Sequence, residues 1–300
     1  MNYKKIIYFL LIVFSMHLYC DDETEIADVE NRKEQIKKGN LALPSSQQPG
    51  PLFSFGQNVI DKNSFQVFGI VDYLQGKCSG RKYNDVIPAL LYAFNNHCSL
   101  YVAAPFATQS TFFDGQQNGI ENIQVQIEFD LYNNDKEKAS DEITFVGAVL
   151  IPAGSPFSNP ATGFTAPSFF LGTTASHMAV EWYFFVAAGA LLTAPRNKTK
   201  FGDVLLYDCG IGRNIHGNPD DYILTAILEI NGFYDGPDII NGVLDCNSGN
   251  NTIYVGPSLW FSTKKLILQA GIEFPIVEQL RGIQPQKQYL ATLTVGWKFN

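Results

Sequence analysis

The segment YLATLTVGWKFN (289–300) alternates between apolar and polar positions. Its odd positions, Tyr289, Ala291, Leu293, Val295, Trp297 and Phe299, are all apolar. Its even positions are Thr292, Thr294, Gly296, Lys298 and Asn300, with Leu290 the single exception. A period of two predicts a strand with one greasy and one wet face. The pattern recurs in 120–131, where Ile123, Val125, Ile127, Phe129 and Leu131 oppose Asn122, Gln124, Gln126, Glu128 and Asp130. It recurs again in 265–275, where Leu266, Leu268, Ala270, Ile272 and Phe274 oppose Lys265, Gln269 and Glu273. Segment 179–192 (AVEWYFFVAAGALL) is apolar on both faces, which fits a packed interior or a weaker strand.

About twelve apolar segments are predicted in all: 65–75, 85–94, 98–104, 120–131, 143–151, 167–175, 179–192, 202–212, 222–233, 252–261, 265–275 and 289–299. Turn formers separate them, among them NNH, NNDKEKASDE, SHM, GNPDD and STKK. Neither a long helical period nor a repeat of 20–50 residues interrupts the series. The class is all-β.

A soluble sandwich and a membrane barrel share this alternation, and three features favour the barrel. Many segments reach the roughly 9–12 residues that a tilted strand needs to cross a bilayer, whereas soluble strands cluster near 5–6. Aromatic residues stand near segment ends, at Tyr92, Phe94, Phe129, Tyr289, Trp297 and Phe299, as in interfacial girdles. Gaps alternate between short and long, matching periplasmic turns and outer loops, although 132–142 is longer than a turn should be. Lipid offers no hydrogen bonds, so only a closed sheet satisfies the backbone. The expectation is a closed antiparallel transmembrane β-barrel of about twelve strands, of the bacterial outer-membrane type, with both ends in the periplasm.

The N-terminal stretch MNYKKIIYFLLIVFSMHLYC pairs a basic start with an apolar run, as an export signal does, and predicts a signal peptide over 1–20. Cleavage would remove Lys4 and Lys5 and take the formal charge from −8 to about −10. Lipidation of Cys20 is an alternative, set against a bulky Tyr19 where a small residue is wanted. Residues 21–60, charged and then rich in Pro and Ser, read as a mobile periplasmic lead-in and linker, leaving 61–300 to the barrel. Among Cys78, Cys98, Cys209 and Cys246 the spacing excludes a zinc CxxC. Cys78 with Cys246 is the one disulfide candidate, and free thiols are the simpler reading.

Charged residues make up only 17% of the chain, against 23 Phe and 14 Tyr. Basic stripes of the kind that bind nucleic acid are missing. The histidines, His17, His97, His177 and His216, lack metal-ligand spacing, with His97 and His177 expected in turns. GIGRNIHG (210–217) fails the GxGxxG spacing, and GxSxG does not occur. Asp235, Asp238 and Asp245 lack an EF-hand's closing Glu. No catalytic residue, cofactor or metal is therefore expected. The candidate site is the inner face, where Gln124, Gln126, Glu128, Asp208, Glu229, Gln269, Glu273 and Lys298 are predicted to point. There they would either line a pore that favours cations or neutral solutes, or bond across a filled lumen.

PALLYAFNNHCSLYVAAPF (88–106) resembles a motif of the outer-membrane "MetA-pathway of phenol degradation" family. Leu91, Tyr92, Leu100, Val102, Pro105 and Phe106 fall at its positions. NNTIYVGPSLWFSTKKLILQAGIEFPI (250–276) looks like the same family's aromatic hairpin, and YLATLTVGWKF like its last strand, with Asn300 as an extra residue. The likeness covers roughly 60–300. It implies a transporter of small, often aromatic or hydrophobic molecules and carries over no catalytic residue. The expected function is passive passage of small solutes. The alternative is a surface barrel with a plugged lumen whose outer loops bind a partner or host surface. Expected partners are outer-membrane lipid, a small solute and, during biogenesis, the barrel-assembly machinery.

Overall fold

The computed structural model describes residues 38–77, 81–112, 115–156, 158, 160–164 and 166–299. The signal-peptide expectation, residues 21–37, Cys20, Cys78 and Asn300 lie outside the described residues.

In chain order the strands are β1 (Phe65–Gly76), β2 (Arg81–Asn95), β3 (Cys98–Ala103), β4 (Phe106–Phe112), β5 (Gly115–Ile120), β6 (Ile123–Lys136), β7 (Ala139–Ile151) and β8 (Ser168–Ala179). They continue with β9 (Trp182–Leu192), β10 (Val204–Asn218), β11 (Tyr222–Asp235), β12 (Ile239–Ile240), β13 (Val243–Leu244), β14 (Asn250–Thr263), β15 (Leu266–Leu280) and β16 (Lys287–Phe299). All but two hairpins, β4–β5 and β12–β13, form the wall, which therefore has twelve strands. Each wall strand pairs antiparallel with its sequence neighbour in the wall. The ring closes because β1 pairs with both β2 and β16, from Phe65↔Phe299 to Gln75↔Tyr289. Every strand edge in the ring is thereby occupied.

The strand registers carry the sequence alternation into two surfaces. In β16 Leu293, Val295, Trp297 and Phe299 are exposed, while Thr292, Thr294 and Gly296 are buried. Val71, Leu131, Leu171, Val186, Leu228 and Leu259 are likewise exposed on other wall strands. Soluble proteins do not expose apolar surface continuously around the body, so this band is the lipid-facing one. Phe65 packs on Phe299 with centroids 5.7 Å apart, and Tyr92 on Phe94 at 5.2 Å, at the end where the short turns lie. Tyr289 meets Tyr73 at 6.0 Å and Phe274 at 6.4 Å at the other end. The protein is a transmembrane β-barrel of the bacterial outer-membrane type.

Several details differ from the sequence expectation. The long gap 132–142 is a two-residue turn, because β6 and β7 stay paired out to Lys136↔Ala139. Their polar ends extend past the apolar band and so read as loop. The outer gaps 105–119 and 234–251 hold the hairpins β4–β5 and β12–β13. His177 lies within β8, not in a turn, with Nδ1 2.5 Å from Asp141 Oδ1. GIGRNIHG lies wholly inside β10.

The largest difference concerns the linker. Residues 38–60 do not trail into the periplasm but run inside the barrel. Asn40, Leu41, Ala42, Leu43, Ser46 and Gln47 are all buried. An eight-stranded barrel is filled by its own side chains, whereas sixteen strands leave an aqueous channel. Twelve strands leave a gap that inward side chains alone do not close, and this segment occupies it.

Candidate functional site

The inserted segment enters and leaves at the same end. Asn40 N–H donates to the Val180 carbonyl (2.9 Å) in the β8–β9 turn. After the excursion Asn63 N–H donates to the Ala93 carbonyl (3.0 Å) near the end of β2. Between these points the chain makes two short 3-10 turns, Gly39–Leu41 and Ser45–Gln47, and no strand. Its Pro and Ser content denies it a ladder of its own, so its backbone groups bond to the wall.

Near the entrance the attachment is apolar. Leu41, Ala42 and Leu43 pack in one buried cluster with Met178, Tyr183, Phe185, Ile223, Ile227, Trp260 and Ile267. This explains why 179–192 is apolar on both faces: one side meets lipid and the other meets the plug. Deeper in, Phe55 stands edge-on to Phe170, centroids 4.7 Å apart. Gly172 makes room for it, since a Cβ there would lie 2.5 Å from the Phe55 ring.

At its tip the attachment is by hydrogen bonds to wall carboxyl groups. Glu229 accepts from the backbone N–H groups of Leu52 (3.0 and 3.1 Å) and Phe53 (3.1 Å), and from Ser258 Oγ (2.8 Å). Asp208 accepts from Ser54 Oγ (2.9 Å). Glu128 accepts from Asn58 N–H (2.9 Å) and Asn58 Nδ2 (2.7 Å). A buried acceptor or donor left unpaired costs roughly 1–3 kcal/mol, so these hydrogen bonds fix the course of the tip.

The inward set expected from sequence therefore divides by partner. Glu128, Asp208 and Glu229 hold the plug directly, and Gln269 Nε2 donates to the Gly50 carbonyl (2.9 Å). Lys298 donates to Ser46 Oγ (2.7 Å) and Asp61 Oδ2 (3.2 Å). Gln124 donates to Gln126 (2.6 Å), which donates to Glu128 (2.5 Å), so this pair backs a plug ligand. Glu273 accepts instead from Asn231 Nδ2 (2.9 Å). Sequence reading missed Asn231, Tyr183, Ser258, Ser262 and Thr225. Asn231 shares the inward parity of Glu229 and was recoverable on that ground. Ser262 donates to the Gln47 carbonyl and Thr225 to Asn40 Oδ1, partners no local pattern reveals.

The lumen is rich in carboxyl groups. Asp85, Glu128, Asp130, Asp208, Glu229 and Glu273 are buried, against one buried lysine, Lys287, among the described residues. Thr292 Oγ1 donates to Asp72 (2.6 Å) on the inner wall, and Tyr83 Oη to Glu121 (2.7 Å) in the link between β5 and β6. Toward the outer end lies a hollow of about 820 Å³, lined by Phe164, Phe201, Asp235, Asp238, Asn247, Gln284 and Lys287 among others. Asp235, Asp238 and Asp245 face it. Burial raises the Asp238 carboxyl above its usual range against the pull of the Gly202 N–H, with Asp245 and Asp235 adding to the rise. Cys246 is exposed and free in this loop.

No protein-family profile and no curated protein sequence matches the chain. Solved structures do. The COG4313 outer membrane channel from Pseudomonas putida F1 superposes with a TM-score of 0.68 at 12% identity, over 84% of this chain and 99% of that one. The NanC porin gives 0.47 at 11% identity, over 78% and 99%. LpxR from Salmonella typhimurium gives 0.42 at 8%, over 78% and 99%. The first of these likenesses establishes the fold: this chain is built as an outer-membrane β-barrel.

Proposed function

We propose that the protein is an outer-membrane channel for small solutes, non-catalytic, closed by its own residues 38–60 and biased toward cations. One observation carries this reading. The wall carboxylates Glu229, Asp208 and Glu128 are partnered by backbone N–H, hydroxyl and amide donors of the plug, which water or a passing cation can replace. The likeness to the Pseudomonas channel and the resemblance to the MetA-pathway family both support a channel. The carboxyl-rich lumen favours cationic or polar solutes over the hydrophobic ones that the family resemblance implies.

Planar-bilayer recording tests this. The full mature chain is expected to conduct in rare, brief openings, and deletion of 39–60 to give a steadily open, cation-selective pore. A folded deletion variant without current would overturn the reading. A second reading, a plugged surface barrel whose outer loops bind a partner, draws support from the outer hollow of about 820 Å³. It predicts that current stays absent in both forms.

A further inference from the structure

Beside the plug tip is a group of acceptors that the plug does not use. Asp208 of β10 and Asn231 of β11 are directly opposed in the ladder. Asn231 gives its Nδ2 to Glu273 of β15, although β14 lies between those two strands in the wall. Gly256 of β14 permits that reach, since a Cβ there would lie 2.5 Å from both Cα and Cβ of Glu273. Three side chains from three strands are thus gathered at one place on the inner wall.

Each of them keeps a buried oxygen with no hydrogen-bond partner: Asp208 Oδ1, Asn231 Oδ1 and Glu273 Oε1. The residues are 6%, 0% and 0% exposed. None of the ion pairs among the described residues involves Asp208, Glu229 or Glu273. An orphaned buried acceptor is costly, and an unpaired buried carboxylate more so. Here three unpartnered oxygens lie beside only two donors, Asn231 Nδ2 and the Gly232 N–H, which serve Glu273 and Asp208, an arrangement completed by a cation rich in N–H groups. A bare metal ion fits less well, because no group of three or more metal-ligating side chains among the described residues is close enough to hold one. Ammonium and guanidinium heads carry three to five donors spread over a wider radius. Asn231 lies two residues nearer the outer end of β11 than Glu229, which holds the plug, so a solute arriving from outside meets this group at the plug tip.

We propose that Asp208, Asn231 and Glu273 form a binding site for the head group of an organic cation, an alkylammonium or alkylguanidinium. Its role as a station on a solute path rests on the channel reading above, but binding itself does not. The test is isothermal titration of the full mature protein in detergent with butylguanidinium and with its neutral isostere, butylurea. The cation is expected to bind at least about tenfold more tightly, the ratio that one charge-assisted hydrogen bond supplies. Glu273→Gln is expected to weaken butylguanidinium by about tenfold or more, and Asn231→Asp to tighten it, while Glu137→Gln at the β6–β7 turn leaves it unchanged. Heat-modifiable gel mobility verifies that each variant is folded. Equal affinity for the two probes, or an unchanged affinity in folded Glu273→Gln, overturns the site. Binding without any bilayer current would keep the site and remove the channel, so the two failures are distinct.

Discussion

Glu229 shows how one side chain couples wall to plug. Both of its oxygens are engaged, two backbone N–H groups of the plug depend on it, and it is fully buried. Glu229→Ala strands the Leu52 and Phe53 amides, and each unsatisfied buried donor costs roughly 1–3 kcal/mol. The barrel itself keeps every ladder bond. The variant should therefore raise the open probability in bilayers about tenfold or more, with heat-modifiable mobility unchanged; a loss of mobility shift instead would assign Glu229 to barrel folding. At this scale the sequence was informative about direction but not about partners. Alternation pointed Glu128, Asp208, Glu229 and Glu273 inward. Nothing local could reveal that Glu229 would meet Leu52, a partner 177 residues away in the chain.

Among the elements, the wall strands were legible because each carries its own two-residue period and the bilayer dictates its length. The polar ends of β6 and β7 were hidden for the same reason: beyond the lipid no alternation is required, so 132–142 looked like loop. The plug was hidden more deeply. It has neither helical nor strand period, and its structure is lent to it by the wall. Its anchor near the β1–β16 seam is Asp61, which accepts from Ser45 (2.9 Å), Ser46 (3.0 Å) and Lys298 (3.2 Å). Burial alone would raise this carboxyl, but Ser45, the Lys298 charge and Ser46 together hold it below the usual range. A carboxylate with a depressed pKa contributes its full stabilisation above the ordinary value of about 4 and loses it as pH falls through the lower one. Asp61→Asn should therefore raise open probability by a constant factor between pH 5 and 8. The variant and the wild type should converge only below about pH 4. A factor that shrinks near neutrality would place the anchor elsewhere.

For the whole molecule the governing quantity is the solvent of each face. The outward residues meet hydrocarbon, and Leu293, 47% exposed at the middle of β16, stands at the centre of that band. Leu293→Arg should cost roughly 2–4 kcal/mol of folding free energy in lipid vesicles, measured by urea titration, while substitutions at inward Thr294 stay well below that. Equal costs on the two faces would contradict the assignment of lipid to the odd one. The seam has a further consequence for assembly. Lys298, which ties down Ser46 and Asp61, belongs to the final strand, whereas the plug precedes the first one. The tether is complete only after β16 has zipped onto β1 in register. A one-residue slip there would turn the ammonium toward lipid and leave the segment unlatched. On the channel reading proposed above, correct closure of the ring and closure of the pore are thus one checkpoint, and a misregistered barrel would betray itself by leaking.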